Sequence, residues 1–192
     1  HVPVLLSPLF VDDDEEASIQ TPQDVARRVL VLWAVELRAE GVPQEEARHI
    51  IDNLQLWAYV SPEEKLFLDN KSLWVLMWSL GYIEELNWPS GMCDVKKLAG
   101  LISKYEDDPN FISEAKLRSV KELLDAQDLT MRIHWSIRDA SLHQGGTVPE
   151  NLDWSGNSED VPVEMSAAVG VVEQRHYVLN WLLKFMEPET WD

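Results

Sequence analysis

The sequence predicts an all-α fold, a single-domain bundle of about six or seven helices around one core. Three observations predict it. Apolar residues recur at helical spacing in most segments, and several of those segments open on helix-start signals. No stretch carries the strict apolar–polar alternation of a half-buried strand. A length of 192 residues with 45% apolar content can bury a substantial core.

Residues 1–20 read as an extended lead-in, because Pro3 and Pro8 interrupt any helix there, and the acidic run Asp12 to Glu16 follows. The helical domain is expected over 21–192. Thr21-Pro22 is a hydroxyl cap with proline at the first helical position, and Val25, Val29, Leu32, Trp33 and Leu37 follow as one stripe. Gly41 is the expected stop. A second helix from Pro43 would bury Ala47, Ile50, Ile51 and Leu54. Ser61-Pro62-Glu63-Glu64 opens a third, apolar on most sides and ending at Gly81. Asp94 caps a helix through Leu98, Leu101, Ile102 and Tyr105. Ser119 and Glu122 form a capping box that starts the longest helix, which is expected to run to His143. Residues 144–165, rich in Gly, Pro, Asn and acids, form a long acidic loop, and the last helix covers 166–186.

The bulk charge narrows the function classes. Thirty-four acidic against 16 basic residues give a net charge of −18, which repels phosphate backbones and anionic lipid. Nucleic acid and membrane are therefore not expected partners, whereas a basic protein is. One cysteine, Cys93, allows no intrachain disulfide and no cysteine-rich zinc site, and no run is apolar for the ~18 residues a bilayer span needs. Cytoplasm is the expected compartment.

Two segments concentrate unusual side chains, "DLTMRIHWSIRDA" (128–140) and "GVVEQRHYVLNWL" (170–182). On the first, Asp128, Arg132, Trp135 and Asp139 share a face, with Met131, His134, Arg138 and Leu142 beside it. On the second, Val172, His176, Leu179 and Leu183 align, flanked by Glu173 and Asn180. These segments resemble the signatures of the bacterial domain-of-unknown-function family 4272. "SPEEKLFL", "LWVLMWSLG" and the arginine of "DVARRVLVL" resemble it too, in the expected order over most of 21–186. Gln174 stands directly before the Arg175-His176 pair where that family often has an acid, and the 144–165 link is longer than usual. The resemblance implies a helical cytosolic protein and carries no activity. It marks Arg132, His134, Trp135, Arg138, Arg175, His176, Asn180 and Trp181 as residues to watch, with Glu173 as a neighbouring acid.

Those groups admit two readings. In the structural one, arginines tie carboxylates, carbonyls and indole faces together and fix two long helices in register. In the other, Arg132, Arg138 or Arg175 binds a phosphate or carboxylate between helices 120–143 and 166–186, with His134 or His176 as acid or base. No P-loop, G-x-S-x-G elbow or G-x-G-x-x-G occurs, so the balance favours a non-catalytic interaction module with an acidic surface. Glu46-x-x-His49 and Glu173-x-x-His176 have carboxylate–imidazole spacing, but a di-iron site needs further inward carboxylates, and neither a metal nor any other cofactor is expected. Trp33, Trp74, Trp78, Trp135 and Trp181 are expected in the core. Trp154, within "ENLDWSGNSED", is the expected partner contact.

Overall fold

A computed structural model of the chain describes residues 18–60, 70–142 and 168–185. The acidic lead-in, the Ser61 start signal and the 144–165 loop with Trp154 fall outside the described residues. Seven α-helices and a short 3-10 turn make up the described fold, with no strand. They are α1 Pro22–Ala39, α2 Gln44–Asn53, the 3-10 turn Leu56–Tyr59, α3 Asn70–Ser79, α4 Val95–Ile102, α5 Asn110–Ser113, α6 Val120–Leu142 and α7 Val169–Leu182.

Helix α1 is the centre of the core. Thr21 Oγ1 accepts the Asp24 N–H at 3.1 Å, Pro22 occupies the first turn, and Val25, Ala26 and Val29 to Ala34 are all buried. A helix buried on so many sides needs neighbours on each, and α2, α3, α5 and the 3-10 turn supply them. Helix α3 is likewise apolar almost all round, with Leu73, Val75, Leu76, Met77 and Trp78 buried, and it lies between α1 and α7. Helix α7 in turn separates α3 from α6, so the order across this part of the fold is α1, α3, α7, α6.

Three helix ends share one device. After α1, the Gly41 N–H donates to Arg38 O and the Val42 N–H to Leu37 O, with Gly41 at φ +92°. After α3, Gly81 at φ +81° repeats this pattern with Trp78 O, and Tyr82 with Met77 O. Both are Schellman closures, for which glycine carries no Cβ penalty. After α7 the same bonds run from Lys184 to Trp181 O and from Phe185 to Asn180 O, but the left-handed residue is Lys184, at φ +50°. A lysine there bears a backbone cost that glycine avoids. Lys184→Gly is therefore expected to stabilise the protein by about 0.5–1 kcal/mol, read as a higher urea midpoint with an unchanged slope. A lower midpoint would contradict this account of the α7 terminus.

Helix α6 opens as a capping box. The Glu122 N–H donates to Ser119 Oγ at 3.3 Å, and the Ser119 N–H to Glu122 Oε2 at 3.0 Å. The Ser119 hydroxyl, which also donates to Glu122 Oε2 at 2.7 Å, then the Ser119 N–H and Arg118 beside the same carboxylate, hold the Glu122 carboxyl below its ordinary pKa. Leu123, Thr130, Ile133 and Ile137 form its buried stripe. This phase differs from both stripes expected from sequence and turns Trp135 outward, 52% exposed, where a core position was expected. Trp135 lies on the arc of Asp128 and Arg132, away from Ile133 and Ile137.

Candidate functional site

Helices α6 and α7 run antiparallel and meet through polar side chains. Near one end of the seam Gln127 Nε2 donates to Asn180 Oδ1 at 3.1 Å. Two turns along α6, His134 Nδ1 lies 2.7 Å from His176 Nδ1, with the rings 5.0 Å apart and edge to face at 87°. Contact through those two nitrogens needs one ring protonated at Nδ1 and the other presenting a lone pair there, which makes the tautomers complementary. Both imidazoles are half-buried. Desolvation, then the neighbouring His134, pushes the His176 imidazole down to about 4.

The far side of α7 is anchored separately. Gln174 Oε1 accepts from Ser72 Oγ of α3 at 3.2 Å. Tyr177 interacts electrostatically with Arg28 of α1, which is buried and pushed down to about 9, mainly by desolvation. Trp181 is buried, and its carbonyl accepts from Gln20 Nε2 at 3.2 Å. At the α7 N-terminus the Ala168 N–H donates to Pro89 O at 2.7 Å, and Arg175 Nη1 to Asn87 O at 2.9 Å. Burial lowers the Arg175 guanidinium to about 10, and its Nε is buried with no hydrogen-bond partner among the described residues.

The residues singled out from sequence therefore separate into groups. His134, His176 and Asn180 come together along the α6–α7 seam, with Gln127 completing the set. Arg132 Nε donates to Asp128 Oδ2 of the same helix at 2.8 Å. Arg175 serves the 87–89 segment, and Trp181 the core. Trp135, Arg138 and Glu173 are exposed, as is Glu46 of α2. The side chain of Asp139 and the whole of Trp154 lie outside the described residues.

Sequence reading passed over Gln127, Ser72 and the identity of the buried arginine in "DVARRVLVL". A signal existed for the last: Arg28 lies between Val25 and Leu32 at helical spacing, inside the apolar stripe, whereas Arg27 faces out to Asp24. Gln127 and Ser72 left none, since an isolated amide or hydroxyl has no spacing to recognise.

Chemically, the histidine pair holds better than it turns over. A general base needs a free lone pair near a reacting group and a partner that orients its other nitrogen. Here the two Nδ1 atoms face each other, and among the described residues no carboxylate, thiol or hydroxyl is bonded to either ring. No group of three or more metal-ligating side chains gathers among the described residues. No helix among them is long and apolar enough to cross a membrane.

No curated protein matches the chain. No solved structure matches it either. The sequence profile described as Domain of unknown function (DUF4272) matches residues 2–192, which takes in both signature helices and every residue of the seam. The chain belongs to that family.

Proposed function

We propose that this chain is a non-catalytic helical interaction module of the cytoplasm, acting as one domain through its surface on a basic protein partner. The observation that carries this reading is where the signature residues point. Along the α6–α7 seam His134 pairs with His176 and Gln127 with Asn180, while several tryptophans keep much of their surface in solvent. Trp57, Trp88 and Trp135 are 48%, 40% and 52% exposed on a chain of net charge −18. Exposed tryptophans ringed by charge have the composition of interface anchors, and the overall field attracts a cationic partner.

The test is affinity capture followed by titration of the purified partner, comparing wild type with Trp57→Ser, Trp135→Ser and Trp154→Ser. A basic partner is expected whose affinity falls at least about tenfold in one variant and falls again as salt is raised. Binding indifferent to every tryptophan and to salt would contradict the reading.

The buried Nε of Arg175 supports a second reading, a small anionic-ligand site at the α7 N-terminal half. Inorganic phosphate would then raise the melting temperature of wild type and leave Arg175→Met unmoved. Equal responses would exclude it.

A further inference from the structure

Two imidazoles in direct Nδ1-to-Nδ1 contact count protons. With two ring protons between them the pair is neutral, with one donor and one acceptor at the 2.7 Å contact. A third proton, on an outer nitrogen, leaves that contact intact. A fourth makes both Nδ1 atoms donors and sets two cations edge to face at 5.0 Å. We propose that the His134–His176 contact is an acid-operated latch, holding α6 against α7 until both rings are fully protonated and releasing it then.

Among the described residues, no carboxylate is bonded to either ring to offset the doubly charged state. On α6 the charged neighbours within a turn are Arg132, held by Asp128, and the exposed Arg138. On α7 they are the exposed Glu173, Arg175 turned to Asn87, and Tyr177, which is coupled to Arg28 of α1. From α3, Ser72 reaches α7 through an uncharged bond to Gln174. None of the carboxylates is hydrogen-bonded to either ring among the described residues, so the proton that would make both rings cations is opposed by the burial of His176 and by the charge on its neighbour. The neighbouring seam contact, Gln127–Asn180, is a neutral amide bond and does not titrate.

The direction of the pH effect follows. The folded state holds His176 near 4, below its ordinary 6.5, so the folded protein binds fewer protons across that interval. The contribution to stability is complete above about pH 6.5 and is lost as the pH falls towards 4. Discounted for the half-exposed position, the folding equilibrium constant should fall by roughly ten- to a hundredfold from this pair alone.

The experiment is long-range proton–nitrogen NMR of the imidazoles in the full chain, from pH 7.5 to 4. Complementary tautomers at pH 7.5 are expected, with ring-to-ring nuclear Overhauser contacts that fade as the pH falls towards 4, together with protection of α6 amides 130–138. Urea unfolding of wild type and His176→Gln over the same range should show a steeper acid loss in wild type. Two rings that titrate independently, each as a free histidine does, with the Overhauser contacts kept at pH 4, would overturn the latch. Should His176→Gln fail to fold, the wild-type NMR titration decides alone.

Discussion

Replacing Arg118 by Met is expected to destabilise the protein by about 3–4 kcal/mol, lowering the melting temperature by roughly 10 °C. Arg118 precedes the α6 cap and reaches back to the far end of α3. Its Nε donates to Trp78 O at 2.8 Å, and its Nη2 to Ile83 O and Glu84 O at 3.0 and 2.8 Å. Nη1 donates to Glu122 Oε1 at 3.0 Å, the backbone N–H to Ser79 O at 2.9 Å, and the guanidinium lies 5.0 Å from the Trp78 ring centroid. Carbonyls at a helix C-terminus have no intrahelical donor, so one forked cation closes α3, orders the 83–84 turn and starts α6. Methionine keeps some of the packing on Trp78, and Trp78 O keeps the Gly81 N–H, but the part-buried Ile83 O and the exposed Glu84 O lose their side-chain donor. Charged hydrogen bonds of this kind contribute about 1.5–3 kcal/mol each before overlap. Arg118→Lys should recover no more than about half, because an ammonium cannot span the same acceptors. A change within about 0.5 kcal/mol for Arg118→Met in urea unfolding would show that these contacts contribute nothing measurable.

Arg118 also shows where sequence reading stops. Its acceptors are main-chain carbonyls 34 to 40 positions away, and carbonyls leave no trace in side-chain pattern. Ser119 and Glu122, by contrast, act within one turn, and their capping box was legible. So were Thr21-Pro22 and the glycines at 41 and 81, because caps and left-handed closures depend on residues a few positions apart. The four-residue α5 and the 3-10 turn after α2 carry too few residues to set a period, and neither was legible. Helix α4 was placed but taken too far, since Ser103 ends it while the apolar pattern continues to Tyr105.

At the seam the two helices were identifiable, but the sequence grouped Arg132, His134, Trp135, Arg138, Glu173, Arg175, His176, Asn180 and Trp181 together, and of these His134, His176 and Asn180 lie along it. The rotation of α6 was not legible. Met131, His134, Arg138 and Leu142 align as well by spacing as the buried stripe of Leu123, Thr130, Ile133 and Ile137. Only packing against α7 distinguishes them. That rotation carries Trp135 and Arg138 to the surface and leaves a histidine as the α6 side of the contact.

The second large effect falls on the seam itself. Replacing either histidine by leucine strands a half-buried Nδ1 on the other, at a cost of about 1–2 kcal/mol. Replacing both removes the orphan along with the hydrogen bond, so the double variant should lose less than the single losses combined. A double-mutant cycle of His134→Leu and His176→Leu, by urea unfolding at pH 7.5, tests most directly that the signature's inward polar groups act on one another. A coupling energy of about 1–2 kcal/mol is predicted. Losses that add to within about 0.3 kcal/mol would show that the two rings, though adjacent, do not hold α6 to α7.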